Sequence, residues 1–576
     1  MVLHSKHHIR MPRHIAQLRA LVIEDNRTSA VAMRTLLEKI GFQSIDLAAT
    51  PNEATELCLR QQYQLVLVDY HLDGKITGSE LLMLLKQQNR LGSNCATIMA
   101  SGDSTPAVIL SSMDATPDSF IRKPVSLRAL QNKVAYALYQ SEMRAPVLAA
   151  LSQGEDALAL TRCKSQLSHY GAEPTLYHLM LNLLMKRNAW TQVRHYAEIF
   201  SVSKSSPFIE VMLARCDFAD DQIDKGCERL ERLIQLSPMT ADGYDLLAHY
   251  YFLQGRYDDA IDIADQVLQL TPHASHRALN LAKYAAARPS SSWFFDAATR
   301  FIHRVPVYNH RWVIELAQLC ENGIELIERQ GFIRSDNEFI RPINTLFNKL
   351  SHRLSHSDQK IARTLKAITL SRIALIYQQP AQAQRILMQG LSPYFHQLGQ
   401  IHDVLLSQSL VPLLKLGEIR FALKIYQHIQ GKEHKLTLLQ DSLNKLRDNA
   451  ILLNEAKRLS EQLSAIQKQG HSELAIAHYN HLLRQYPYCT EAHLGRLLCY
   501  HQLAWHHHDD VKASFRVIRD LPLCEPLASQ KQQVWRAYAM APEPATPSSE
   551  NIDNIAEEVE NQLLEQPSDL ESPYSS

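Results

Sequence analysis

Glycine is scarce in this chain, 18 residues in 576, and so is charge imbalance: 60 Lys and Arg stand against 60 Asp and Glu. The first shortage suits a mostly helical protein. The second removes the electrostatic footprint that nucleic acid or an anionic membrane would require. The nine cysteines (58, 95, 163, 216, 227, 320, 489, 499 and 524) are odd in number and never form a CxxC pair. That pattern suits free thiols in a reducing cytosol and not a disulfide framework or a zinc site. Apolar runs such as Leu81–Leu85 are far too short to span a bilayer. The opening MVLHSKHHIRMPRH has basic residues but no apolar stretch after them, so it reads as a disordered lead-in over 1–17 and not as a signal peptide. The 27 His would add positive charge only below about pH 6.5. A chain of 576 residues exceeds one core and is expected to hold about two to four domains.

The first 140 residues alternate regularly. Apolar strands are expected at Arg19–Ile23, Ile45–Ala49, Leu65–Asp69, Ala96–Ser101 and Ser119–Arg122. Between them the spacing predicts helices over Thr28–Ile40, Pro51–Gln61, Ser79–Gln88 and Pro106–Met113, with Leu127–Tyr139 closing the series. Gly41 and Pro51 fall where a helix stops and starts. Five strands alternating with five helices predict an α/β, doubly wound, five-stranded parallel sheet of the flavodoxin-like type.

In such a sheet the functional rim lies at the C-terminal ends of the strands. Those ends carry Glu24-Asp25, Asp69, Ser101 and Lys123. Three carboxylates gathered there repel, and without a counterion at least one pKa rises. A divalent cation such as Mg²⁺ relieves this, because it needs only one or two carboxylates and a carbonyl and keeps several waters. Lys123 and Ser101 are suited to hold extra phosphoryl oxygens.

This set resembles the receiver (CheY-like) domain of two-component response regulators, over about residues 18–140. The resemblance implies that Glu24 and Asp25 hold Mg²⁺ and that Asp69 is the phospho-acceptor. The carbonyl of His71 becomes the remaining protein ligand, Ser101 the switching hydroxyl, Lys123 the family lysine and Phe120 the switch aromatic. It also implies a partner histidine kinase. His71 and Asp103 flank the acceptor and are either tuners of dephosphorylation or plain loop residues. The loop HLDGKITG after Asp69 lacks the usual Pro and is about one residue longer than the family pattern.

Beyond Tyr139 the strands stop and a repeat begins. Pro238, Pro272 and Pro306 are each 34 residues apart. In the clearest unit Tyr244, Leu247, Ala248 and Tyr251 share one helix. Gly255 makes the turn, and Ala260, Ala264 and Val267 line a second helix before Pro272. The unit resembles the tetratricopeptide (TPR) pattern. Leu213, Ala214, Gly226, Leu230 and Leu233 serve the unit before; Leu281, Ala282, Ala285, Ala298 and Phe301 serve the one after. A weaker copy spans 173–206 with Leu179, Tyr196 and Ile199. TPR repeats are thus expected over 150–308, as an all-α TPR-type superhelix, and degenerate helical repeats over 309–535. Gly417, Ala422, Tyr426 and Ile429, then Gly470, Ala475, Tyr479, Leu482 and Pro487, recover the phase there. Lys435–Leu463 reads as one long helix, an extended repeat helix or a coiled-coil contact. From Ala541 the chain has nine carboxylates and no Lys or Arg, which predicts an acidic disordered tail over 541–576.

Trp505-His506-His507-His508-Asp509-Asp510 brings metal ligands to mind, but consecutive helical residues diverge, and a solvated turn fits better. No P-loop, HExxH, EAL or GGDEF run occurs, so no separate catalytic domain is expected. The implied function is a cytoplasmic bacterial response regulator, phosphorylated on Asp69 by a histidine kinase, whose TPR surface binds a protein or peptide partner. The alternative is a constitutive scaffold or phosphoryl competitor acting on a kinase or another regulator through its repeats. Nucleic acid and membrane partners are not expected.

Overall fold

The computed structural model describes residues 11–538 apart from 73–75, 104, 106–107, 109, 111–114, 204–205, 308–310, 331–338, 431–453, 455–457, 459–460, 462–471 and 504–507. It forms two compact units, Met1–Tyr284 and Ala285–Ser576.

The first unit opens with β1 (Arg19–Ile23), α1 (Arg27–Ile40), β2 (Ser44–Ala48), α2 (Pro51–Arg60), β3 (Leu65–Asp69), α3 (Gly78–Gln87), β4 (Ala96–Ser101), β5 (Ser119–Arg122) and α4 (Leu127–Ser152). The strands pair in parallel in the order β2-β1-β3-β4-β5. β3 and β4 are buried at every position, which is why LVLVD and ATIMAS read as unbroken apolar runs. One sheet face closes over Val22, Leu37, Leu67, Ile98, Leu130 and Val134. Side-chain caps set the helix starts: Asn26 accepts from Ser29 N, Thr50 from Glu53 N, and Ser126 from Ala129 N. Thr77 and Glu80 cap α3 reciprocally. The helix expected over Pro106–Met113 falls largely outside the described residues.

One expectation was too short. The closing helix, predicted to stop at Tyr139, continues to Ser152 as a single 26-residue α4 with Pro146 inside it. Its extension is not free. Met143, Val147 and Ala150 are fully buried, and Arg144 reaches back to the sheet. Arg144 Nη2 donates to Cys95 O and Asp118 Oδ2, both at 2.8 Å. The same Asp118 oxygen accepts from Thr97 N and Oγ1 at 2.7 and 3.0 Å. Pro146 hides this continuity in the sequence, because a proline in a helical run ordinarily marks an end or a kink.

Helices then follow in pairs: α5 (Asp156–Tyr170), α6 (Pro174–Lys186), α7 (Trp190–Ser203), α8 (Pro207–Ala219), α9 (Ile223–Leu236), α10 (Ala241–Leu253), α11 (Tyr257–Leu270) and α12 (Ser275–Ala285). The starts at Pro207, Ala241 and Ser275, and at Ile223 and Tyr257, keep the 34-residue period. Glycine appears where helices nearly touch. A Cβ on Gly226 of α9 would lie 2.5 Å from the Phe218 ring of α8. In the weaker copy over 173–206, Ile199 is 48% exposed, and Val193, Ala197 and Phe200 fill the interior instead; the buried face is one position out of phase with the expectation.

A buried charge ties three of these helices. Asp217 of α8, with no exposed surface, accepts from Arg194 of α7 at 3.0 Å and Arg229 of α9 at 2.9 Å. Lys225 Nζ lies 3.3 Å away.

The second unit continues with α13 (Ser292–Arg304), α14 (Arg311–Gln330), α15 (Ile340–Ser351), α16 (His356–Ile376), α17 (Pro380–Leu391), α18 (Asp403–Leu416), α19 (Ile419–Ile429), α20 (Ser472–Gln485), α21 (Thr490–Gln502), α22 (Asp509–Ile518) and α23 (Leu527–Ala537). α14 and α16 run 20 and 21 residues, against 13 and 14 for α10 and α11. The longer helices carry the chain out of the 34-residue register. Buried Glu418 gathers this unit by accepting from Gln384 Nε2 at 2.6 Å and from Thr490 Oγ1, and burial pushes its carboxyl up to about 7. Lys435–Leu463 (save three helical positions), Gly470, Trp505–His507 and the acidic tail lie outside the described residues. His508 caps α22 by accepting from Asp510 N at 3.2 Å, and Asp510 accepts from Tyr500 at 2.7 Å.

Asp217 yields a test of this packing. Burial raises its carboxyl, but the hydrogen bonds and charges of Arg229, Arg194 and Lys225 outweigh that and hold it below the ordinary carboxylate range. A depressed folded-state pKa stabilises above the unfolded value and is lost as pH falls through the folded one. Asp217→Asn should therefore lower stability at pH 7 by about 3 kcal/mol, the cost of breaking a buried ion pair. In chemical denaturation at several pH values, the difference from wild type should fade below the usual carboxylate pKa.

Candidate functional site

The parallel order sets the site. β1 and β3 are neighbours, with Ile23 opposite Val68, and β3 and β4 pair Asp69 with Ala100. The residues just past or at these strand ends therefore converge: Glu24 and Asp25 after β1, Asp69 closing β3, Ser101 closing β4, and Lys123 after β5. Continuous apolar strands lift the carboxylates to the rim, and turns begin at once beyond them.

The carboxylates are held off water. Asp69 is 6% exposed and Glu24 2%. One oxygen from each of Glu24, Asp25 and Asp69 falls within 4.8 Å of the others, the one such group of metal-ligating side chains among the described residues. Lys123 Nζ lies 2.5 Å from Glu24 Oε2 and 3.1 Å from Asp69 Oδ2. Burial pushes the Asp69 carboxyl up; Lys123 and His71 oppose this, and Glu24 adds to it, leaving Asp69 above the ordinary range. The other oxygen, Asp69 Oδ1, is buried and has no hydrogen-bond partner among the described residues. A buried carboxylate oxygen left unpaired costs free energy unless something else meets it. The donor set of three oxygens suits a hard divalent cation.

Ser101 is fully buried and its Oγ accepts from Asp103 N at 3.1 Å. Lys123 is registered to the same strand end, its N donating to Ser101 O at 2.8 Å. Phe120 is half-buried on β5, opposite Met99. His71 is exposed, edge-on to Tyr70 with ring centroids 4.9 Å apart. The structure thus brings Glu24, Asp25, Asp69 and Lys123 into contact distance, with Ser101 and Phe120 on the adjoining strands. Residues 73–75 of the following loop lie outside the description.

Sequence reasoning missed Gly78. It opens α3 directly over the end of β3, its N donating to Tyr70 O at 2.9 Å. A Cβ there would collide with the Asp69 carbonyl oxygen. Any side chain would push α3 off the strand end, so the loop closes on the one residue without a Cβ. The signal was present as the last letter of HLDGKITG.

Residues 20–135 match the response regulator receiver domain family. A cyclic di-GMP phosphodiesterase of Thermotoga maritima is 30% identical over 118 residues, which are 20% of this chain and 30% of that protein. The chain therefore spans under a third of that relative. Among solved structures, a CheY-like receiver domain protein of Methanospirillum hungatei is 27% identical over 22% of this chain and 96% of its own, with a TM-score of 0.20. The APC/C hetero-tetramer Cut9-Hcn1 aligns over 69% of this chain and 96% of its own at 12% identity and a TM-score of 0.24. The parallel sheet, the acidic rim with its lysine and the family match agree: the N-terminal domain of this chain is a response regulator receiver domain.

Proposed function

We propose that this chain is a response regulator that accepts a phosphoryl group on Asp69 from a histidine kinase and signals to a protein partner through a TPR-type helical array. The observation that carries the first half is the buried, unpartnered Asp69 Oδ1 beside a lysine-bound Oδ2. Oδ1 keeps its lone pairs for attack. The new O–P bond forms as the P–N bond to the kinase histidine breaks, and the imidazole leaves with that electron pair. Lys123, on Oδ2, lies against the charge that builds on the transferring group; catalysis of this kind is mostly positioning and electrostatics.

Glu24, Asp25, Asp69 and the carbonyl of His71 are the groups that would hold Mg²⁺, which when bound would supply positive charge to the phosphoryl oxygens. The acyl phosphate would draw the Ser101 hydroxyl away from Asp103 N, and Phe120 would turn into the space released. For the second half, the 34-residue recurrence of helix starts supports stacked repeats, which bind proteins along extended surfaces. No helix among the described residues is long and apolar enough to cross a membrane, and the reading places the chain in the bacterial cytoplasm.

Incubation with radiolabelled phosphorylated kinase should label the wild type and leave Asp69→Ala unlabelled; equal labelling of both would remove Asp69 from this role. A second test uses stability. A carboxyl with a raised folded-state pKa contributes stability below its unfolded value and loses it as pH rises through the folded one. In EDTA, Asp69→Asn should melt above wild type at pH 7, with the gap closing as pH is lowered. Mg²⁺ should raise the wild-type melting temperature by several degrees and leave the variant nearly unmoved.

A further inference from the structure

The last helices of the second unit meet the rest of it at a seam of side chains. α19 ends at Ile429 and α20 begins at Ser472, so no short turn joins the two blocks. They touch through α17 and the α18–α19 turn on one side and the α20–α21 turn on the other. The approach is close: a Cβ on Gly417 would lie 3.0 Å from the Cβ atoms of both Tyr486 and Cys489. Gln384 of α17 is buried, and its Nε2 donates to Tyr488 O at 2.6 Å and to Thr490 Oγ1 at 3.1 Å. Arg420 of α19 pairs with Glu491 of α21.

At the centre of the seam is Glu418, 3% exposed. Its Oε1 accepts from Gln384 Nε2 at 2.6 Å and from Thr490 Oγ1. Both donors are uncharged, and among the described residues no cation pairs with Glu418. The charged and titratable groups around it do not make good that lack. Arg420 is taken by Glu491, whose own charge opposes that of Glu418. The Cys489 and Cys524 thiols that face it are pushed up by burial first and then by Glu418, so both are neutral; Lys424 and Arg420 oppose this at Cys524. A buried carboxylate without a counterion is costly, and such a group takes up a proton instead. Burial first, opposed by Thr490 and Gln384 and reinforced by Glu491, pushes the carboxyl up to about 7.

We propose that Glu418 is a proton-operated catch: as the carboxylic acid it holds α20 and α21 closed on α17–α19, and as the carboxylate, once its proton has passed to solvent, it loosens that seam. The device is separate from the chemistry at Asp69 and acts on the C-terminal part of the helical array. Its sign follows from linkage. A carboxyl raised in the folded state contributes stability below the ordinary glutamate range, and that stability is lost as pH rises to about 7.

The test is peptide-resolved hydrogen exchange on the full-length protein at about pH 5 and about pH 8, each corrected for the intrinsic exchange rate. Wild-type protection over α20 and α21 should fall by at least about tenfold between the two, the linkage expected of a carboxyl moved from its ordinary range to neutrality. Glu418→Gln keeps an accepting oxygen but cannot ionise, and its protection should stay level. Constant protection in the wild type, or an equal fall in Glu418→Gln, overturns the catch. A thermal melt reports whether that variant folds. Should it fail, Glu491→Gln leaves Glu418 in place and removes the like charge beside it, so the fall should be smaller and finish at lower pH; an unchanged fall overturns the catch as well. Asp69→Ala, which loses labelling on the reading above, should show the wild-type fall, so failure of the catch and failure of the receiver chemistry are told apart.

Discussion

Burying a carboxylate is expensive, and this chain buries two at one strand edge. Lys123 makes that possible. It sits between Glu24 and Asp69 and compensates the charge that the apolar strands lift out of water. The compensation is partial. One oxygen of Asp69 has no partner among the described residues, so the domain is left with an unfinished electrostatic arrangement, which on the proposed reading a cation or a phosphoryl group would complete. The acid is held in a dry place because β3 is an uninterrupted apolar run, buried at every position, that ends on it.

The second constraint is mechanical. α4 is both the last helix packed on the sheet and the first helix of the array, and no break separates the two roles. Arg144 pins its second half to Asp118 and the Cys95 carbonyl at the edges of β5 and β4. On the proposed reading, a shift of those strands, which carry Ser101 and Phe120, would reach the helix without an intervening linker. The buried Asp217 cluster then fixes α7, α8 and α9 as one body. These are packed, discrete contacts of the sort that carry coupling.

Much of this was legible in the residues. Strand ends could be read because apolar runs terminate abruptly at acids, and β1, β3, β4 and β5 fall at or within a residue of the expected bounds. The candidate site residues are single letters at those ends, so Glu24, Asp25, Asp69, Ser101 and Lys123 were found together. Gly78 and Arg144 were not. Gly78 acts through close approach to the Asp69 carbonyl, which a glycine letter alone does not reveal, and Arg144 through a contact across 26 residues to Asp118. Ile199 was misplaced by one position because α7 opens at Trp190, one residue later than the 34-residue period back from Ile223 requires. Beyond residue 310 the longer helices α14 and α16 erase the period, and reading by repeat loses its ruler.

The central claim is that chemistry at Asp69 is felt in the helical array. Hydrogen exchange followed by mass spectrometry, with and without beryllofluoride and Mg²⁺, addresses it directly. The account predicts altered protection in α4 from Met143 to Ser152 and in α5 and α6, together with the strand ends near Ser101. A change confined to residues 20–135, with the rest of α4 and the array unaltered, would contradict it.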